Sequence, residues 1–306
     1  KICTAICEIN PLGELNLRDI GTSVSSGIER GKITDAAELS KAIDRSIKRA
    51  SQNLGFTPSK VITNIPFHGI QSIQNMGFIL SKEQSGQISE YEKTECIRRS
   101  KNIIKSPEQR LLHVIPLSFK VDGNIIQNPV GAFGNNLEVQ THIILGNSDT
   151  ISGLNYAIKD LELHICGIVY DLLASAQVAL TEKERKEGSI LIDIGSRFTK
   201  VGIFENNLLQ KSTVIPIGGE TITSDIAHCL KTTIPEAERI KILQGEAMEK
   251  KIYSDQHFSI TTNNTGRQEI EKNLLCRIIE ARLKELFSFI NKDLNLKFNK
   301  PYQVVL

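Results

Sequence analysis

The chain has 306 residues, of which 40% are apolar and 24% charged, and its formal net charge is +2. A chain of this length exceeds one ordinary core, so two lobes or several subdomains are expected. The even charge balance argues against a nucleic-acid partner, the composition excludes dominant disorder, and no apolar run approaches the roughly 20 residues of a membrane-spanning helix.

Lys1 to Glu8 reads as a strand, and Asn10-Pro11-Leu12-Gly13 supplies turn chemistry for a hairpin over residues 1–20. Asp35 is placed to cap a helix, with Glu38 as its reciprocal partner and Leu39, Ile43, Ile47, Ala50 and Leu54 as its apolar stripe; Gly55 suits the left-handed stop. The run from Lys60 to Ile65 predicts a strand, followed by a hairpin punctuated by Gly69 and Gly77. Residues 81–150 read as a self-contained α+β unit. It opens with a helix capped by Ser89 and Glu92 that ends near Ile104, followed by strands at 111–121 and 137–145 separated by Asn128-Pro129-Val130-Gly131.

Helices follow at 151–163 and 171–182, then a hairpin pairing 189–195 with 199–204 and a third strand from Leu208 to Ile217. Gly218-Gly219 ends that strand before a helix from Thr221 to Leu230, and a second helix covers 235–244. The longest helix is predicted at 266–293. Thr265 and Gln268 form its capping pair, and Ile270, Leu274, Ile278, Leu286, Ile290 and Leu294 lie on one face. Tyr302 to Leu306 reads as a strand, and a strand cut at each end is expected of the core segment of a longer protein, with a processed N-terminus as the alternative.

No stretch reads as a signal peptide, none of the six cysteines forms a C-x-x-C pair, and the six histidines lack metal-ligand spacing. Apolar neighbours such as Leu230 beside Cys229 and Leu275 beside Cys276 suggest reduced, buried thiols in a cytosolic protein.

The segment from Ile190 to Phe204 carries the most chemistry. A buried strand leads into Asp193-Ile194-Gly195, turns at Ser196-Arg197-Phe198, and returns through Thr199-Lys200. Small residues in such a turn let backbone N–H groups approach phosphate, and Asp193 can hold Mg²⁺ directly or through water. About twenty residues on, Gly218-Gly219 opens a helix whose N-terminus can face an anion. Glu238 and Lys241 then share one helix face, suited to ribose hydroxyls and an adenine edge or to a plain surface ion pair.

This order of elements resembles the second phosphate loop and the adenosine-binding helix of the actin-like ATPases. Finer matches resemble the FtsA family of bacterial cell-division proteins. Ala174-Ser175-Ala176 through Leu180-Thr181-Glu182-Lys183-Glu184 looks like the family's connecting helix. Leu112-His113-Val114-Ile115-Pro116, Asn128-Pro129-Val130-Gly131 and Gly27-Ile28-Glu29-Arg30-Gly31-Lys32-Ile33 look like three further signatures, and the resemblance covers nearly the whole chain.

The resemblance implies an α/β, actin-like (ribonuclease H-like) two-lobed ATPase fold with an inserted α+β subdomain. Residues 1–80 and 151–188 would form the first lobe core, 81–150 the insertion, 189–218 and 299–306 the second lobe core, and 219–298 its outer subdomain. ATP with Mg²⁺ would bind between the lobes, through Asp193, Gly195, Ser196, Thr199, Gly218, Gly219, Glu238 and Lys241, with Asp193 on the metal. The protein would link the FtsZ C-terminal tail to the inner face of the cell membrane at the division site and recruit later division proteins. It would also self-associate into filaments and reach the membrane through a segment outside this chain. Arg282, in Ala281-Arg282, falls where the family has the Arg of a Pro-Arg pair, and beside Phe287 and Phe289 it would suit an acidic-hydrophobic peptide. A solvated charged face is the alternative for Arg282; Arg98, Arg99, Lys101 and Lys105 are expected to be solvated, with contact to a neighbouring subunit as the alternative.

The family's turn usually reads D-I-G-G-G-T-T-D, whereas Ser196, Arg197, Phe198 and Lys200 add bulk and reverse a charge here. Asp171 lies where chaperone relatives place a catalytic Glu, and a helix cap is the favoured reading of it. Activity is therefore expected to be a weak ATPase at most. The alternatives are a brisk actin-fold ATPase or small-molecule kinase, and a pseudo-ATPase scaffold such as a pilus-assembly relative.

Overall fold

Two units emerge from a computed structural model, Lys1–Val178 and Ala179–Leu306. It describes residues 1–56, 58–66, 69–81, 86–103, 106–248, 256–262, 266–294 and 302–306.

The first unit begins with the expected hairpin, β1 (Ile2–Ile9) against β2 (Leu15–Ser23). Its turn is held by Asn10, whose side-chain oxygen accepts from the N–H groups of Leu12 and Glu14. A two-residue ladder, β3 (Ile28–Glu29) with β4 (Lys32–Ile33), precedes α1 (Ala36–Ser51). Asp35 caps α1 by accepting from Ala37 and Glu38 N–H, while the Glu38 carboxylate takes Lys41 instead of closing the expected reciprocal box. Gly55 has φ +69 but lies beyond the cap at Gln52, so it shapes the following turn and not the helix end.

After β5 (Lys60–Asn64), the chain does not make the expected local hairpin. β6 (Gln71–Leu80) pairs instead with a strand more than fifty residues on, from Gln71 opposite Leu145 to Leu80 opposite Asn136. α2 (Glu90–Ser100) starts at the Ser89–Glu92 capping box and lies so close to β6 that a Cβ on Gly77 would sit 2.1 Å from the Cys96 carbonyl oxygen. Ile104, the expected helix end, and Lys105 lie outside the described residues. β7 (Gln109–Val121), β8 (Asn124–Ile126) and β9 (Asn136–Asn147) complete a sheet of order β6-β9-β7-β8. Ile79, Ile88, Cys96, Phe119, Val121, Leu137 and Val139 fill the space between that sheet and α2. The inserted sheet thus begins at Gln71, ahead of the boundary at 81 read from the sequence.

α3 (Ser148–Lys159) leads to β10 (His164–Val169), an unforeseen strand that runs parallel to β5. Ile47, Leu154, Ile158 and Leu163 pack together there. α4 (Asp171–Ala179) follows, and the backbone N–H of Tyr170 just before it donates to His113 Nε2 on β7 at 2.9 Å.

In the second unit, Thr181 and Glu184 cap α5 (Glu182–Glu187) reciprocally. β11 (Ser189–Ile194), β12 (Thr199–Glu205) and β13 (Leu208–Ile215) form an antiparallel meander. Asn206 and Asn207, both at positive φ, make the tight turn between β12 and β13. α6 (Gly219–Cys229) and α7 (Ile234–Gln244) come next.

The expected long helix from 266 is a correction. Residues Gly266–Glu271 form β15, paired with β14 (His257–Thr262), and α8 runs over Lys272–Leu294. Gln268 and Ile270 sit on this hairpin, with Ile270 buried among Ile222, Ile226, Ile260 and Leu275; Thr265 lies outside the described residues. The first half of α8 packs with α6 and α7, while Leu286, Ile290 and Leu294 cover the sheet over Ile190, Ile192, Val201 and Ile203. β16 (Gln303–Val305) runs parallel to β11 and gives the order β13-β12-β11-β16.

The thiols correct a further expectation: Cys96 and Cys276 are buried, but Cys3, Cys7, Cys166 and Cys229 are exposed. Among the described residues, no helix is long and apolar enough to cross a membrane.

Candidate functional site

The β11–β12 ladder runs from Ser189 opposite Phe204 to Ile194 opposite Thr199 and sets Asp193 directly across from Lys200. Their side chains form an ion pair, with Lys200 only 7% exposed and Asp193 34% exposed. An ammonium that deep needs a carboxylate, so the charge reversal at position 200 is matched within the hairpin. Ile190, Leu191, Ile192 and Val201 are buried and anchor both strands, and the Gly195 N–H closes the turn on the Phe198 carbonyl at 2.9 Å.

The start of α6 meets this turn. Gly219 N–H donates to Gly195 O at 2.9 Å, and Glu220 N–H to Ser196 O at 2.7 Å. A Cβ on Gly218 would lie 2.5 Å from Gly195 O and 2.6 Å from Ser196 O, so only glycine admits the approach. At Gly219 the nearest atom would be Lys241 Nζ at 3.5 Å, an ordinary contact. Two of the otherwise unpaired N–H groups at the helix start are therefore spent on the turn's own carbonyls.

Charges gather around the junction. Glu220 accepts from Ser196 Oγ at 2.7 Å and from Arg197 Nε at 2.6 Å. Partial burial pushes the Glu220 carboxyl pKa up, but those two donors and the guanidinium charge outweigh it and leave the group below its ordinary value. On α7, Lys241 Nζ donates to Glu238 Oε2 at 2.6 Å, to Thr223 Oγ1 at 2.8 Å and to Gly219 O at 3.1 Å. Lys241 first, and Thr223 second, hold the Glu238 carboxyl below its usual pKa. Asp193, Glu220 and Glu238 thus face Lys200, Arg197 and Lys241, and the cluster is formally neutral.

Of the residues singled out in the sequence, Asp193, Gly195, Ser196, Gly218, Gly219, Glu238 and Lys241 come together here. Thr199 turns away: it is fully buried, and its hydroxyl donates to Ile217 O at 2.7 Å, tying the hairpin to the strand that leads into Gly218. Arg282 has two acids of its own. Its Nε and Nη2 reach Asp225 on α6 at 2.6 and 2.9 Å, its Nη1 reaches Glu285, and Asp225 above all holds the guanidinium pKa above its ordinary value. Phe287 and Phe289 further along α8 are 42% and 40% exposed. Asp171 stands at the start of α4 in the first unit, where Asn64 Nδ2 donates to it at 3.4 Å. Glu220 and Thr223 were not foreseen. The legible signal was that Ser196 and Arg197 are donors that need an acceptor, with an acid two residues into the facing helix.

A family model described as cell division protein FtsA matches residues 190–302, and one described as the SHS2 domain inserted in FtsA matches residues 68–145. The cell division protein FtsA of Bacillus subtilis (strain 168) is 30% identical over 283 residues, covering 92% of this chain and 64% of its own length. That of Borreliella burgdorferi is 30% identical over 297 residues, covering 96% of this chain and 72% of its own length. That of Escherichia coli K12 is 26% identical over 296 residues, covering 96% and 70%. Among solved structures, the PilM-PilN type IV pilus biogenesis complex matches with a TM-score of 0.62 at 15% identity, over 96% of this chain and 73% of that one. The chain therefore spans just under two thirds of the Bacillus relative, at 64%.

Proposed function

The chain belongs to the FtsA family of cell division proteins, with the SHS2 domain inserted in an actin-like fold, and from that premise we propose that it is an ATP-binding adaptor. In this reading it links FtsZ filaments to the inner face of the cytoplasmic membrane and recruits later division proteins. The supporting observation is the junction of the 195–198 turn with the start of α6, closed by N–H···O bonds of 2.9 and 2.7 Å.

Each part of the junction has a role toward a nucleotide. Glu238 is 46% exposed and engaged through Oε2, so its carboxylate can accept from ribose hydroxyls while Lys241 fixes its orientation. Ser196 and Arg197 supply phosphate donors. Asp193 is the carboxylate suited to Mg²⁺, which when bound offsets phosphate charge. Lys200 already holds Asp193 Oδ2, so the ion fits only at the other oxygen or through a water. A neutral cluster with a bulky turn supports weak turnover at most. Phe287 and Phe289, exposed on α8, suit the apolar part of an FtsZ tail. Filament formation and membrane contact complete the reading.

Equilibrium titration of the full-length protein with Mg·ATP and with a synthetic FtsZ tail peptide tests it. Saturable binding of both is expected, and binding of neither at millimolar concentration contradicts it. A second reading, a scaffold of the same fold without tight ATP binding, has one observation in its favour: the three cations of the junction already hold three carboxylates. Peptide binding without ATP binding would select it.

A further inference from the structure

Glu220 is the second residue of α6 and grips the turn at three points. Its N–H donates to Ser196 O at 2.7 Å, its Oε1 accepts from Ser196 Oγ at 2.7 Å, and its Oε2 accepts from Arg197 Nε at 2.6 Å. Ser196 and Arg197 are the side-chain donors that the altered turn offers to an anion, and both are already on one. A carboxylate bridging a hydroxyl and a guanidinium repeats, with two oxygens, the pattern that the terminal oxygens of a phosphate would make.

Resting on the nucleotide reading above, we propose that Glu220 is an internal anion that keeps the phosphate turn closed, so that a polyphosphate binds only by displacing its carboxylate from Ser196 and Arg197. Displacement needs no backbone change. The bonds from Gly219 to Gly195 and from Glu220 to Ser196 can stay while the side chain rotates outward, and at 51% exposure it has solvent to rotate into. Glu238 assists, because its charge acts against that of Glu220. A half-exposed, charge-assisted pair of this kind is weak enough to yield to a multiply charged ligand, yet its removal is expected to change affinity by roughly tenfold. The device makes the turn selective for ligands carrying several negative charges, since adenosine alone cannot compete for Arg197.

The test is calorimetric titration of the full-length protein with ATP and with adenosine, in the wild type, in Glu220→Gln and in Glu220→Ala. Both variants are expected to bind ATP roughly tenfold more tightly, with adenosine affinity unchanged. Adding Arg197→Ala to Glu220→Gln is expected to remove most of the gain. The two Glu220 variants guard against the loss of either to misfolding. ATP binding that is no tighter in the variants, or a gain shared equally by adenosine, overturns the latch while the wild type's ATP binding leaves the nucleotide reading standing. Absence of ATP binding in all the proteins overturns both.

Discussion

A methyl group on Gly218 would lie 2.5 Å from the Gly195 carbonyl oxygen, whereas one on Gly219 would meet nothing nearer than 3.5 Å. Gly218→Ala must therefore push the turn and the helix apart, at a cost of about 1–3 kcal/mol, while Gly219→Ala is expected to cost less than about 1 kcal/mol. Urea unfolding of the two variants checks this, and equal costs would contradict the packing described. The glycine pair was legible in the sequence as a place of close approach. What it approaches was not, because Gly195 and Ser196 come within reach only once β13 has returned the chain. The same limit hid Glu220. Lys200 was visible as a reversed charge, and only the strand register revealed that Asp193 stands opposite and answers it.

At the scale of elements, local signals were read well where the chain satisfies itself locally. The Ser89–Glu92 box, the turn at Asn10 and the 189–204 hairpin all form as their residues dictate. Non-local pairing was not legible: β6 follows a glycine at Gly69 that suggests a local hairpin, but its partner β9 lies far downstream. The start of α8 was misplaced because Ile270 fits a helical stripe with Leu274 equally well, and only pairing with Phe258 fixes it as strand.

The inserted sheet carries its own pH dependence. His142, 1% exposed in the middle of β9, has its pKa pushed down by burial to about 4 from 6.5, and burial lowers His113 as well. Between these values the unfolded chain takes up a proton that folded His142 refuses, so stability falls as pH drops from about 6.5 to about 4 and levels off below. The loss assigned to His142 is about 3 kcal/mol. Protonating His113 also sets a donor against the Tyr170 N–H that it now accepts. Unfolding measured across this window should be flatter in His142→Leu than in the wild type, and identical slopes would contradict the assignment.

For the molecule as a whole, the order of its motifs carried the family, because a collinear set survives the loss of any one piece. The turn whose residues depart from the usual family pattern is answered by three ion pairs around one junction. A nucleotide bound at that junction would cover the backbone N–H groups of the turn and of the helix start. Hydrogen exchange of the full-length protein with and without Mg·ATP measures this directly. Slowed exchange of the backbone N–H groups at 195–200 and 218–223 together is the result predicted, and ATP binding that protects neither segment would contradict it.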